Sequence, residues 1–512
     1  MKKKYLCAVL AACSLFLFSF NGCTNTDSEK FPENSGIHPE NSDTLPKDSD
    51  KLPEDKPLDE SVGIEGMVEL WVTSSNQKNL LTAQQPLLPI SNTGEENSGG
   101  VFVVNVEPDK TFQEMDGFGA SFTDASAWLV ANVLDDKQRQ DLMEKLFDAD
   151  VGIGMSFLRQ PMGATDFTTK LYTYNDLPEG ETDVELSKFS IDHDKEYIIP
   201  LLKEAMNINP NMKIMASPWS APAWMKTSKN LIGGSLNPDY YGAYADYFVK
   251  YIKAYESEGI PIYAVTPQNE PMYVPSEYPG MKMDFSSQAK FINKYLGPAF
   301  EKNNIEVKII AYDHNWDNLV YPTEVLKEAG KYVAGTAWHC YGGKHQAMTT
   351  IHDKFPDKGI WFTEASGGEW VPPFNEAFVD QMTHVIRATR NYAKTVVWWN
   401  IALDQNNGPT VLSNSTCRGI VTINTDTKEI TYNVDYYTMG HISKFVEPGA
   451  LRIESTNVQS NLETTAFKNP DGSVVLIAFN HLPQDRTIRV NYGKSSFEYK
   501  FPGKSAVTFM WK

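Results

Sequence analysis

The sequence predicts an α/β fold, a closed (β/α)8 TIM barrel with a discontinuous β-sandwich at its side. Three observations carry that expectation. Eight apolar β-type runs alternate with amphipathic stretches through the middle of the chain, and eight repeats favour a closed parallel barrel over an open sheet. β-type segments occupy both ends of that middle. Two of the eight runs end in a glutamate, Glu270 and Glu364, where a barrel keeps its chemistry, at the C-terminal rim.

The start of the chain stands apart from that fold. Lys2, Lys3 and Lys4 precede an apolar run from Tyr5 to Phe20 and then Asn21-Gly22-Cys23, the layout of an export signal over residues 1–22. It resembles a bacterial lipoprotein signal with Cys23 as the residue to be lipidated, and the run is shorter than the ~20 residues of a membrane span. Cleavage at Cys13 instead would strand Leu15 to Phe20 on the mature protein. Residues 23–66 are rich in Pro, Ser, Asp and Glu and bury too little apolar surface to offset ordering, so a disordered tether is expected. From Thr24 to Gly66 there are 12 acidic and 4 basic residues, so much of the net charge of −19 belongs to the tether. An acidic chain offers no footprint for a phosphate backbone, and no nucleic-acid partner is expected. Beyond the tether only Cys340 and Cys417 remain, which leaves one bridge or two free thiols open and no disulfide framework.

Residues 67–108 carry short β segments such as Val68 to Val72, and residues 432–512 carry more, including Ser473 to Phe479 after an Asn-Pro-Asp-Gly turn. These are the expected halves of the sandwich, with residues 109–431 as the barrel between them. The expected barrel strands run Gly117 to Phe122, Met155 to Arg159, Lys213 to Trp219, Ile262 to Glu270, Val307 to Tyr312, Gly335 to Tyr341, Gly359 to Glu364 and Thr395 to Ile401. A helix is expected from Tyr240 to Glu256, where Tyr244, Tyr247, Phe248 and Tyr251 recur at three- and four-residue steps. No Gly-x-Gly-x-x-Gly or Walker loop lies at a strand-to-helix turn, and no cofactor is expected.

Glu270 and Glu364 are 94 residues apart, close to three βα units of roughly 30 residues each, which puts them on strands four and seven. Two carboxyl groups in different protonation states suit cleavage of a glycosidic bond. One gives a proton to the departing oxygen and the other stabilises or captures the oxocarbenium-like carbon. Asn269 beside Glu270 could hydrogen-bond a sugar 2-hydroxyl. Strand alternation turns His339 and Tyr341 the same way on strand six, toward the site, and Cys340 away; a hydrogen-bonded core position is the alternative for the histidine. Eight of the eleven tryptophans lie between Trp219 and Trp399, and indole faces stack on sugars. Trp219 and Trp399 are the expected site walls, and Trp224, Trp338 and Trp398 are expected in the core. His193, His314, His345 and His384 are too scattered for a ligand set, so no metal is expected.

Longer matches make the chain similar to one family. They are Gly117-Phe118-Gly119-Ala120-Ser121-Phe122-Thr123-Asp124, Leu158-Arg159-Gln160-Pro161-Met162 with Asp166-Phe167, and the run from Ser217 to Thr227. The Asn269-Glu270-Pro271 and Thr363-Glu364-Ala365 segments and Gly440 to Phe445 follow. In this order they resemble glycoside hydrolase family 30, the glucosylceramidase and β-1,6-glucanase family, from about Phe112 to the C-terminus. The resemblance implies a retaining enzyme with Glu270 as acid/base and Glu364 as nucleophile, their carboxyls about 5–5.5 Å apart. It implies Asp124 and Asp166 as acceptors for sugar hydroxyls, with helix capping as the alternative. It also implies Arg159 as the donor that keeps the nucleophile ionised, with a structural ion pair as the alternative. The segments Asp404 to Pro409 and Asn414 to Gly419 depart from the glucosylceramidase pattern, which leaves the leaving group open; Arg418 there could recognise an acidic substituent.

The expected function is retaining hydrolysis of β-glucosidic bonds in a β-glucan or β-glucoside, foremost as an endo-β-1,6-glucanase. A glucosylceramidase or exo-β-glucosidase is the alternative, and a glycan-binding lipoprotein without activity is a second one. The expected setting is a bacterial lipoprotein whose lipid anchor holds it to the membrane, on the cell surface or the periplasmic face of the outer membrane.

Overall fold

The computed structural model describes residues 62–94, 101–412 and 415–512; the signal segment, Cys23 and the tether up to residue 61 lie outside them. The middle of the chain supplies eight strands: β1 (Gly117–Ser121), β2 (Phe157–Pro161), β3 (Lys213–Ser217), β4 (Ala264–Val265), β5 (Lys308–Asn315), β6 (Val333–His339), β7 (Gly359–Glu364) and β8 (Thr395–Asn400). Each pairs in parallel with the next from β1 to β7, and β8 pairs with β1. Bridges at Ile360–Ala393 and Ala365–Trp398 join β7 to β8 and complete the (β/α)8 circuit. Phe157, Met215, Ala264, Ile310, Ala337, Trp361 and Val397, one from each of seven strands, fill a shared buried layer of the interior.

The helix expected from aromatic spacing forms at Tyr241–Ser257 and buries Tyr244, Tyr247, Phe248 and Tyr251. Tyr174 stacks on Tyr247 and Tyr251 with ring centroids 5.8 and 5.5 Å apart, so stacked rings join Val249 and Ile252 in seating this helix.

β4 departs most from expectation. Only Ala264–Val265 pair as a strand; Thr266 N–H still donates to Ala216 O at 3.0 Å, and residues 267–270 leave the sheet, Pro267 having no N–H to offer a ladder. Asn269 donates its backbone N–H to Pro218 O at 2.9 Å and Glu270 donates to Asp313 O at 3.0 Å. The segment that carries the first glutamate is therefore tied to the chain beyond β3 and to β5.

The two ends of the chain meet in a ten-stranded sheet. Glu69–Ser74 pairs antiparallel with Ser505–Trp511, and Val101–Glu114 lies between Leu451–Ser455 and Arg486–Tyr492. The sandwich is discontinuous, but its first half extends to Glu114 rather than to residue 108. The helix Val434–Ser443 packs on β1 and on the helix Asn375–Arg390, so the barrel continues past residue 431. Val62 and Ile64 pack on the sandwich core and Glu65 N–H donates to Lys512 O, so the described residues 62–66 are held by the fold and not part of a loose tether. Buried His441 bridges barrel and sandwich, its ring nitrogens 2.8 Å from Thr73 Oγ1 and 2.9 Å from Thr508 Oγ1.

Candidate active site

Asp313, on β5, organises the C-terminal rim. It accepts hydrogen bonds from Arg159 Nη2 (2.7 Å), Thr266 Oγ1 (2.8 Å), Ser217 Oγ (2.9 Å), Thr363 Oγ1 (2.8 Å) and His339 Nε2 (3.0 Å). These donors come from five different rim segments, so one buried carboxylate fixes their relative positions. Burial alone would raise its pKa, but Arg159 and His339 outweigh that and hold the carboxyl far below its ordinary value. Asp313 and Glu270 both have left-handed backbone, with φ of 64° and 43°, a conformation that other contacts must sustain.

Two of those donors reach on to the glutamates. Arg159 Nη1 donates to Glu364 Oε2 at 2.6 Å, and Tyr341 OH donates to Glu364 Oε1 at 2.8 Å. His339 Nδ1 lies 3.2 Å from Glu270 Oε1, with His314 Nδ1 at 3.6 Å from the same oxygen. Burial lowers the pKa of His339, yet Glu364, Asp313 and Glu270 together raise it to about 10, which favours a protonated ring with a donor on each nitrogen. One ligand atom each from Glu270, His339 and Glu364 lie within 4.8 Å of one another, which makes the carboxyls near neighbours, closer than the roughly 6.5–9.5 Å at which an inverting pair is held.

Charge and hydrogen bonding order the two glutamates in opposite ways. Burial raises both carboxyls; on Glu270 the bond and charge of His339, with His314 and Arg159, outweigh it and pull the group down, whereas Glu364 stays raised despite His339 and Arg159. The two titrate as a pair, and hydrogen bonding decides which holds the proton. Both oxygens of Glu364 already accept from strong donors, which favours the carboxylate. Glu270 Oε2 has no hydrogen-bond partner among the described residues and is free to carry a proton. Arg159 also orients Asn269, whose Oδ1 accepts from Nη2 at 2.7 Å while its Nδ2 has no partner among the described residues.

Asp166 lies beside the pair. Its Oδ2 accepts from Trp399 Nε1 at 3.3 Å, its Oδ1 is buried with no partner among the described residues, and burial with the charges of Glu364 and Glu270 raises its pKa to about 7. Trp219 and Trp399 are not open walls. Their rings stack on each other at 4.8 Å and both are 3% exposed, with the Arg159 guanidinium 4.9 Å from the Trp219 ring. Trp224, Trp338 and Trp398 are buried as expected.

Asp124 is held in a polar cluster of Thr168, Thr169, His193 and Tyr197. It opens the helix Asp124–Asn132, where Thr123 rather than Asp124 is the N-cap. Its oxygens accept from Thr169 N–H (2.6 Å), Thr169 Oγ1 (2.7 Å), Tyr197 OH (2.5 Å) and Thr168 Oγ1 (3.2 Å), and His193 Nε2 is 2.7 Å away. Arg418 is likewise occupied, donating from Nε to Asp435 Oδ2 at 2.8 Å, so it is not a free cation for an acidic sugar. Cys340 and Cys417 are free thiols.

His339 and Tyr341 both reach the site, but β6 ends at His339, and Tyr341 is placed by its N–H bond to Asn315 Oδ1 at 3.1 Å rather than by strand alternation. Asp313 and His314 are the residues sequence reasoning missed. The signal was present: an acidic residue directly after the apolar run ending at Tyr312, the same pattern that singled out Glu364. Glu270, His339 and Glu364 form the only metal-ligand-type group among the described residues, and Arg159 with the imidazolium already provides positive charge there.

A barrel rim with two adjacent carboxyls of unequal hydrogen bonding, a free amide donor and a guanidinium on one carboxyl defines a glycoside hydrolase. The chain belongs to glycosyl hydrolase family 30: the family's TIM-barrel domain matches residues 115–446 and its beta-sandwich domain matches residues 449–509. It is 33% identical over 413 residues to an endo-1,6-beta-D-glucanase of Neurospora crassa, covering 77% of this chain and 84% of that one. It is 31% identical over 442 residues to the lysosomal acid glucosylceramidase of Mus musculus, covering 81% and 84%. A solved endo-beta1,6-glucanase structure superposes with a TM-score of 0.78 at 33% identity, covering 87% of this chain and all of that one.

Proposed function

We propose that this chain hydrolyses β-1,6-linked glucan within the polymer, with retention of configuration. The observation that carries the chemistry is the unequal bonding of the pair: both oxygens of Glu364 accept hydrogen bonds, and Glu270 Oε2 accepts none. Glu364 attacks the anomeric carbon as a carboxylate while Glu270 gives its proton to the leaving oxygen; Glu270 then takes a proton from water, which releases the sugar from Glu364. Asn269 Nδ2 donates to the sugar 2-hydroxyl, and Asp166 accepts from a hydroxyl of the same sugar. Arg159 and Tyr341 hold Glu364 for attack and receive its charge again when the covalent bond breaks.

The similarity to endo-1,6-beta-D-glucanases supports both the linkage and internal cleavage. Product analysis on β-1,6-glucan tests both. Oligosaccharides in the first minutes are expected, and glucose alone from the start would rule out endo action. Similarity to the mouse glucosylceramidase favours a second reading, release of glucose from a glucosyl lipid, which turnover of glucosylceramide without action on the glucan would establish.

Export and anchoring belong to the same proposal. The lysines at 2–4, the apolar run and Asn21-Gly22-Cys23 support lipidation at Cys23 and residence on a membrane surface. Replacing Cys23 with Ser should move the protein from the membrane pellet to the soluble fraction.

A further inference from the structure

The rim has two unlike halves. Over β8, β1, β2 and β3 the aromatic side chains are closed in, with Trp399 and Trp219 stacked and 3% exposed. Four aromatic side chains among the described residues are more than a third exposed: Tyr273 (50%), Phe285 (41%), Tyr341 (44%) and Trp370 (53%). All four lie on segments that follow β4, β6 or β7. Met272 and Val274, either side of Tyr273, are also exposed. Leu171, Val184 and Val411, on segments after β2 and β8, are exposed as well, but the exposed aromatic rings are confined to the other half, and such rings in the open mark a surface that something covers.

Both walls of the open half connect to the reacting groups. Tyr273 N–H donates to Glu270 O at 2.8 Å, so its ring stands three residues from the proton donor. The Tyr273 ring is 6.5 Å from that of Tyr278, whose phenol is near enough to Asp166, Glu270 and Glu364 for their charges to oppose its ionisation. Opposite, Trp370 lies on Gly368, where a Cβ would stand 2.2 Å from the indole ring; only glycine leaves space for this ring position. Gly368 pairs with Cys417, whose Sγ lies 3.5 Å from Ser366 Oγ, two residues beyond Glu364.

The sugar that receives nucleophilic attack sits against the closed half, where Asp166 offers a free acceptor. The departing part of the chain then has to cross the open half, on the side of the residue that protonates it. We propose that Tyr273 and Trp370 are the stacking surfaces for the glucan units on the leaving-group side of the cleaved bond, and so set the preference for a polymer over a small glucoside. Each ring offers a flat apolar face for a sugar. The proposal rests on the glucanase reading above.

The test compares kcat/KM on β-1,6-glucan with kcat/KM on an aryl β-glucoside for the wild type, Tyr273→Ala, Trp370→Ala and the double variant. The glucan-to-aryl ratio is expected to fall about threefold to tenfold in each single variant and at least tenfold in the double, mainly through KM. Tyr273→Phe and Trp370→Phe should restore it to within about twofold. A ratio unchanged in the double variant, or a parallel loss on both substrates, overturns the proposal while the wild type still cuts the glucan. A wild type that leaves the glucan intact but cleaves the aryl glucoside overturns the glucanase reading and the proposal together.

Discussion

Each end of the barrel holds a buried carboxylate at the centre of a polar cluster, and only one of them is built for chemistry. At the N-terminal mouth Asp116 accepts from Lys213 Nζ (2.9 Å), Tyr263 OH (2.7 Å) and Trp361 Nε1 (2.7 Å), below a cleft of about 820 Å3. Its bonds end there, and it ties the starts of three strands together. At the rim Asp313 has more donors, and two of them, Arg159 and His339, reach past it to Glu364 and Glu270. Beyond these stand groups with unused capacity: Glu270 Oε2, Asn269 Nδ2 and Asp166 Oδ1. Buried polar atoms are nearly always satisfied, so unused donors and acceptors beside a satisfied hub separate a reactive site from a structural one better than charge alone.

Substitutions at the two ends should separate those roles. The largest effect is expected for Glu364→Gln, which should lower kcat on glucan at least about 10⁴-fold and leave the melting temperature equal or higher, because it removes a buried charge from a crowded pair. Glu270→Gln should cost about 10²–10⁴-fold on glucan but far less on an aryl glucoside whose leaving group needs no proton, measured side by side. Asp313→Asn should lower stability in urea by about 3–5 kcal/mol, since Arg159 and His339 lose a charged acceptor, and should lower activity per folded molecule as well. Asp116→Asn should also destabilise, while activity per folded molecule stays within about twofold; a matching loss of activity would erase the distinction between the two ends.

The smallest expected effect concerns pH. The Asp166 carboxyl is raised to about 7 in the folded protein, against about 3.9 when exposed. Between those values the folded state holds a proton that the unfolded chain has lost, so the stabilisation from this group is full below about pH 4 and is lost as pH rises through about 7. Asp166→Asn removes that dependence. Its melting temperature relative to wild type should therefore climb between pH 5 and pH 8, by about 2 °C. A constant offset would show that Asp166 does not titrate between pH 5 and pH 8 in the folded protein.

Sequence patterns reached the barrel because its strands are continuous apolar runs, and β3, β7 and β8 begin where Lys213, Gly359 and Thr395 suggested. They failed at β4, where Glu270 hangs from a two-residue strand by a bond to Asp313 that no local pattern encodes. The glutamates, Asn269, Arg159, Asp166, His339 and Tyr341 were legible as strand-end residues or family matches, and the structure brings them together. The stacking of Trp219 on Trp399 was not, because it depends on where the ends of β3 and β8 meet across the barrel. Asp124 and Arg418 show the same limit: each has a charge that looked available in sequence and is taken up by a partner distant in the chain, His193 and Asp435.

The division of labour between Glu270 and Glu364 is tested most directly by trapping the covalent intermediate. Incubation with a 2-deoxy-2-fluoro-β-glucoside carrying a good leaving group, followed by proteolysis and mass spectrometry, should find one fluoroglucosyl group on the peptide that contains Glu364. The same group on the Glu270 peptide, or no adduct from an enzyme whose first product is the inverted anomer, would contradict it.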